Sequence, residues 1–260
     1  MSKPYDADLV GCDTETGGLN GYFTLESGER VHGALYRPLI ELAFVFPRVE
    51  SDGQLNIDAG ETLVVGIALN DERMSRMDPW ALEQHTKSGL LERLKTGEGF
   101  DYVATSNEEA EMFIIERLEL LGVRPFEREA RAGAMLFGNN IGFDFSFIDA
   151  QMPKLAAFFH YRKLDVSAVN VLSRTVWKDI KLPQPQKEFH HTALADITES
   201  TDELNGYSAY LQAVMDFTEN NAKVYGIHQS TKSFVDDNNG MNTENWDDEL
   251  AKIDKGKTDA

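Results

Sequence analysis

The chain has a single cysteine, Cys12, in 260 residues. That excludes an internal disulfide framework and fits a reducing compartment, with Cys12 itself reading as a buried strand residue rather than a nucleophile. No apolar run approaches the ~20 residues of a membrane span, and the start of the chain has no apolar leader-like core. The expectation is a soluble, cytoplasmic protein with no membrane partner. Positive charge is scarce: 25 Lys and Arg stand against 44 Asp and Glu, for a net charge of -19. Such a field repels long polyanions and excludes a general nucleic-acid wrapping protein, while a small anionic substrate needs local metal ions or a few placed cations to outweigh it. There is no internal repeat and no heptad run. What is present suffices for a core, with 42% hydrophobic and 10% aromatic residues, enough for one sizeable α/β domain with appendages.

Two dense apolar runs, 39–46 (LIELAFVF) and 61–69 (ETLVVGIAL), have strand length, and with 9–12 before them predict an antiparallel meander turning at Asp52-Gly53. The polar, Gly-rich stretch 20–37 reads as a long loop. A broken helical pattern covers 79–94 around Gly89. Residues 106–121 form a clearer helix, with Ser106 as N-cap, Glu109 three positions on, and an apolar stripe of Met112, Ile115, Leu118 and Leu121. A strand at 134–137 enters the turn Gly138-Asn139-Asn140-Ile141-Gly142. Short helices follow at 143–151, 155–160 and 166–177, with a strand at 162–165 before the last, and 192–221 is mostly helical. From 226 on, polar and acidic residues dominate, so the division expected is one folded domain over 1–222 and a peripheral extension over 223–260.

The chemistry gathers at Gly11-Cys12-Asp13-Thr14-Glu15-Thr16-Gly17-Gly18-Leu19. Asp13 and Glu15 are two positions apart, so in an extended segment both acids leave one face. Like charges so close raise each other's pKa unless a divalent cation neutralises them, and oxygen-only ligands suit Mg²⁺ or Mn²⁺. Acid-x-acid beside glycine is also common in surface turns, so the pair gains meaning only with the rest. Asp144 follows the 138–142 turn at a strand's C-terminal end, where open α/β sheets place ligands. Asp196 follows His191 by five residues, a rotation that keeps them off one helical face and puts His191 in the loop or first turn before it. Alone, Asp144 reads as a helix-capping acid, and His191, beside His190, as a partly buried loop residue.

Together and in this order, Asp13, Glu15, Asp144, His191 and Asp196 resemble the DEDDh superfamily of 3′→5′ exonucleases. The resemblance implies a ribonuclease H-like α/β fold: a mixed sheet, antiparallel over its first three strands and then parallel, flanked by helices. It also implies that the four acids hold two divalent ions and that His191 is the general base, a division of labour suited to in-line phosphodiester hydrolysis. Met77-Asp78-Pro79-Trp80, the 84–93 segment (QHTKSGLLER), the 138–144 segment (GNNIGFD) and above all 159–167 (FHYRKLDVS) resemble the oligoribonuclease family. From that family come further expectations. Leu19 and Trp80 stack on terminal bases, whereas without it Leu19 reads as core packing and Trp80 equally as core packing or a binding residue. His85, Asn140, Tyr161, Arg162 and Ser167 occupy substrate-binding positions, those of the 5′-phosphate site shared across a homodimer.

The match departs at Gly17, where threonine is usual, at Asn140, where serine is usual, and at Asn170, where lysine is usual. The implied function is a metal-dependent 3′→5′ exoribonuclease that degrades short single-stranded oligonucleotides to nucleoside 5′-monophosphates. The alternatives are a broader single-strand DNA and RNA 3′→5′ exonuclease of proofreading or repair type and, from a different class, a non-catalytic acidic interaction protein.

Overall fold

The first strand runs past its apolar residues. In the computed structural model, which describes residues 6–130, 132–176, 182 and 192–225, β1 spans Asp6–Thr16 and holds Asp13 and Glu15 inside extended backbone. The stretch 20–37 is not a loop. It contains β2 (Tyr22–Thr24), β3 (Arg30–His32) and a short helix, α1 (Gly33–Tyr36), with Tyr22 paired to His32 and Thr24 to Arg30. Its strands are three residues long, too short for an alternating pattern to register, although Tyr22, Phe23 and Val31 are good strand formers.

The sheet then grows through β4 (Leu39–Val49) and β5 (Leu55–Ile67). The turn between them lies where Asp52-Gly53 predicts it, with Asp52 accepting from the Gln54 N–H at 3.0 Å. A helical segment follows as α2 (Asp71–Ser75), α3 (Pro79–Lys87) and α4 (Leu90–Thr96), the last two broken at Gly89 as expected. A parallel strand that the sequence did not announce, β6 (Tyr102–Ala104), pairs with β5.

Helix α5 (Asn107–Leu120) starts on Ser106, whose side chain accepts from the Glu109 N–H as anticipated. The expected apolar stripe is misphased. The buried face carries Ala110, Glu111, Ile114 and Leu118, and Met112 is 59% exposed. Glu111 turns inward because its carboxylate caps a second helix: Oε1 accepts from the N–H groups of Lys154 and Leu155 at 2.6 and 3.1 Å. Strand β7 (Ala132–Gly138) leads into α6 (Ile141–Gln151), then come α7 (Pro153–Phe158), β8 (Leu164–Asp165), α8 (Val166–Thr175) and α9 (Ala193–Tyr225).

Six of the eight described strands form the main sheet, in the order β6-β5-β4-β1-β7-β8. Strand β4 is antiparallel to both β1 and β5, whereas β1–β7, β7–β8 and β5–β6 are parallel. This is the mixed ribonuclease H-like sheet the sequence predicts. Strand β4 is buried on both faces from Leu39 to Val45, which is why it reads as an unbroken apolar run. One face packs Val10, Cys12, Leu42, Phe44 and Val65 against Ile114, Leu118, Phe147 and Leu155. The other packs Val45, Val64 and Phe137 against Ile197 and Tyr207 of α9.

By internal contacts the chain divides into one unit through Tyr210 and a second from Leu211. In the second, the described residues 211–225 are helical, with the side chains of 211–217 exposed. The expected extension over 223–260 lies, apart from 223–225, outside the described residues. Among the described residues no helix is long and apolar enough to cross a membrane.

Candidate active site

Pairing between β1 and β7 stops at Gly11 and Phe137, yet β1 continues to Thr16. Beyond Gly138 the chain turns through Asn140 into α6, and the edge that β7 leaves is taken by a side chain. Asp144 Oδ1 accepts from the Thr14 backbone N–H at 2.9 Å and from Thr14 Oγ1–H at 2.7 Å. The carboxyl is thereby pinned to the strand at the C-terminal end shared by β1 and β7, in the first turn of α6, where the positive helix end favours an anion.

Asp13 and Glu15 leave the opposite face. They pair across the ladder with Ala43 and Glu41, so they share the side on which α9 packs. Helix α9 comes close because residue 11 is glycine: a Cβ there would stand 2.9 Å from Ile197 Cγ1 and 2.4 Å from Val45 Cγ2. Asp196, next to Ile197 and in the first turn of α9, is thus brought over β1.

Electrostatics ties the acids together. Asp13 is pushed well above the usual carboxylate range, first by burial and then by the charges of Asp144, Asp196, Glu15 and Glu41. Burial, with Glu41, Asp196 and Asp144, raises Glu15 to about 8, and Arg93 opposes. Burial also raises Asp144, to about 7, against the hydrogen bonds from Thr14. Among the described residues no three His, Cys, Asp or Glu side chains are grouped so as to hold a metal ion as they stand. What fits a divalent cation is the donor set: oxygen-only, largely buried, mutually repelling and drawn from three elements.

The sequence did not single out Glu41, Arg93 or Thr14. Glu41 is fully buried, with both oxygens 3.3 Å from Arg93 Nη2, and it also accepts a backbone hydrogen bond from Ala193 at the start of α9. One signal was available: Glu41 is the only charge in the run 39–46, and a buried charge needs a partner.

His85 is buried under the same strand end. One ring nitrogen, Nε2, lies 2.8 Å from the Thr16 carbonyl oxygen, and the other, Nδ1, lies 3.8 Å from Glu15 Oε2. Leu19 and Trp80 do not pack in the core. They are 76% and 67% exposed and belong to adjacent segments, because the Asp78 N–H donates to the Gly17 carbonyl at 2.6 Å. Gly17, the departure from the family motif, has a local cause: a Cβ there would meet Pro38 Cδ at 2.5 Å.

Asn140 is the only described non-glycine residue with positive φ, 51°, a conformation asparagine tolerates better than most residues. Its N–H donates to Asp165 Oδ1 and Ser167 Oγ, both at 3.0 Å, and Ser167 Oγ–H donates to Asp165 at 2.7 Å. Asn140 and Ser167 therefore meet. Tyr161 stacks on His160 at 4.5 Å between ring centroids and stays half exposed, and the Arg162 guanidinium carbon lies 5.4 Å from the Tyr161 centroid. His191 lies outside the described residues, as do His190 and Trp177.

A mixed sheet of this order with acids converging on the C-terminal end of its first strand defines the ribonuclease H-like class. Comparison with known proteins narrows it. No family model matches the chain, but curated oligoribonucleases do. The chain is 39% identical to that of Marinobacter nauticus and 38% identical to that of Photorhabdus laumondii, each over 170 residues that make up 65% of this chain and 83% of the relative. The oligoribonuclease of Paracidovorax citrulli is 37% identical over 174 residues, 66% of this chain and 80% of its own. The chain belongs to the oligoribonuclease family.

Proposed function

We propose that the protein is a metal-dependent 3′→5′ exoribonuclease that degrades short single-stranded oligonucleotides to nucleoside 5′-monophosphates. The observation that carries this reading is the meeting of Asp13, Glu15, Asp144 and Asp196 at one strand end in a chain of the oligoribonuclease family. Asp13, Glu15, Asp144 and Asp196 would hold two divalent ions, Mg²⁺ or Mn²⁺. When bound, such ions neutralise charge developing on the attacking and leaving oxygens of an in-line displacement.

The chain's own groups do the rest. Thr14 fixes Asp144 through two hydrogen bonds, so one carboxylate is oriented before substrate arrives. His191 removes the proton from the attacking water, a role suited to an imidazole titrating near neutrality. Leu19 and Trp80, exposed on adjacent segments, stack on the terminal bases with little regard to sequence. His85 braces the Thr16 carbonyl beside Glu15. Asn140, Ser167, Tyr161 and Arg162 receive the 5′-phosphate. In this reading the last two act across a homodimer in the cytoplasm.

Incubation with Mn²⁺ and a ladder of RNA and DNA oligonucleotides, with products resolved by length, tests the reading. Stepwise release of 5′-mononucleotides from the 3′ end of short RNA supports it. Faster digestion of long DNA would favour a proofreading or repair exonuclease, and absence of cleavage would overturn the enzymatic assignment.

A further inference from the structure

We propose that the β2–β3 hairpin is a second base-binding platform, which carries the 5′ continuation of a single-stranded RNA longer than a dinucleotide. This rests on the exoribonuclease reading and deepens its substrate class.

The two faces of the hairpin differ. On one, Phe23 packs inward: the Arg37 guanidinium carbon lies 4.2 Å from its ring centroid, and Phe23 meets Tyr36 edge-on at 5.5 Å. Tyr22, Thr24, Arg30 and His32 occupy the other as two cross-strand pairs, and directly opposed residues share a face. Tyr22 is 65% exposed. Its ring meets His32 edge-on at 4.9 Å, and the Arg30 guanidinium carbon stands 4.8 Å from its centroid. An exposed ring flanked by an imidazole and a guanidinium is the composition with which proteins stack unpaired bases and neutralise the phosphates between them. In a chain of net charge -19, a guanidinium set beside an exposed ring favours an anionic partner; the hairpin's acids, Glu26 and Glu29, sit toward its turn.

The hairpin is fastened to the rim that carries Leu19 and Trp80. Arg37, under Phe23, donates to the Arg76 carbonyl at 2.8 Å and pairs with Asp78 at 3.4 Å. Asp78 is the N-cap of α3 and accepts from the Trp80 N–H. On the other side the Gly33 N–H donates to the Gly21 carbonyl at 2.9 Å, and Asn20 Nδ2–H donates to Ser146 Oγ at 3.0 Å, two residues past Asp144. Tyr22 thus stands three residues from Leu19 on a braced support. A dinucleotide ends at the 5′-phosphate residues, whereas a longer strand whose 3′ end lies at the acids and whose terminal bases meet Leu19 and Trp80 leaves that site and continues onto Tyr22.

The test uses full-length protein in which Asp144→Asn stops turnover, measured by fluorescence anisotropy with a labelled RNA dinucleotide and a labelled RNA of about eight nucleotides, a length single-strand grooves span. Adding Tyr22→Ala or Arg30→Ala is expected to weaken binding of the longer RNA about tenfold, the size of one lost base stack, and to leave the dinucleotide unchanged. Tyr22→Phe, which keeps the ring, is expected to bind as the parent does. Equal losses on both RNAs, no loss on the longer one, or a change confined to self-association on sizing would each overturn the proposal. Cleavage by the wild type is measured in parallel. If it releases no mononucleotides, the exonuclease reading fails, whereas normal cleavage with hairpin variants that bind like the parent defeats the platform alone.

Discussion

Glu15 stands directly across the β1–β4 ladder from Glu41. Like charges paired this way are destabilising unless something compensates, and Arg93, 3.3 Å from both Glu41 oxygens, is the compensation. It pairs with Glu41 and lowers the cost of ionising Glu15. Removing one member of a buried pair leaves the other uncompensated, at about 3–5 kcal/mol. Arg93→Ala is therefore expected to destabilise the protein by that order in chemical denaturation, and Arg93→Ala combined with Glu41→Gln is expected to recover part of the loss. A double variant no more stable than Arg93→Ala would show that the pair is not the source.

Thr14 presents the same logic from the other face of the strand. Thr14→Val keeps the β-branched shape and the backbone N–H but deletes the hydroxyl bond to Asp144. Losing such a bond to a second-layer partner typically costs about 10–100-fold in metal affinity or activity. The expected outcome is a drop of about tenfold in Mn²⁺ affinity by calorimetric titration, with cleavage recovering at high Mn²⁺. Asp144→Asn, by contrast, is expected to fall to background at every Mn²⁺ concentration.

Much of this site was legible in the sequence, for reasons that particular residues make clear. Asp13 and Glu15 could be paired because the strand period is two, and Asp144 because it follows a glycine-bounded turn at a strand end. The helix break at Gly89 and the N-cap at Ser106 are local signals and stand where expected. What stayed hidden depends on partners distant in the chain. Glu41 is compensated by a residue 52 positions away. Glu111 faces inward only because it caps α7, which rotates the buried face of α5 away from Met112. The 20–37 hairpin is held by Arg37 stacking rather than by an apolar pattern.

Raised carboxyl pKa values make stability depend on pH in a definite direction. Glu15 goes from an ordinary 4.5 to about 8 and Asp144 from 3.8 to about 7 on folding. Over that interval the folded state holds protons that the unfolded chain has released, so stability is fully present below the unfolded values and is lost as pH rises through the folded ones. In chelator-treated protein the melting temperature is expected to fall from pH 5 to pH 8.5. Mn²⁺ at about a hundredfold excess over its dissociation constant adds about 2.7 kcal/mol and is expected to offset part of the loss at the alkaline end. A melting temperature that rises with pH in the chelated protein would contradict the burial of these acids.

The exposure of Leu19 and Trp80 separates binding from folding. Neither supports the core, so Leu19→Ala and Trp80→Ala are expected to stay within about 0.5 kcal/mol of the parent in stability. If both stack on bases, KM for short RNA is expected to rise about tenfold for Trp80→Ala, the worth of one aromatic stack, with a smaller rise for Leu19→Ala. Replacing Trp80 by Phe, which keeps a π-face, is expected to restore most of the affinity. A Trp80→Ala protein with unchanged KM and a lowered melting temperature would return Trp80 to a structural role. That pattern would leave the acids at the end of β1 and the likeness to oligoribonucleases to support the substrate reading.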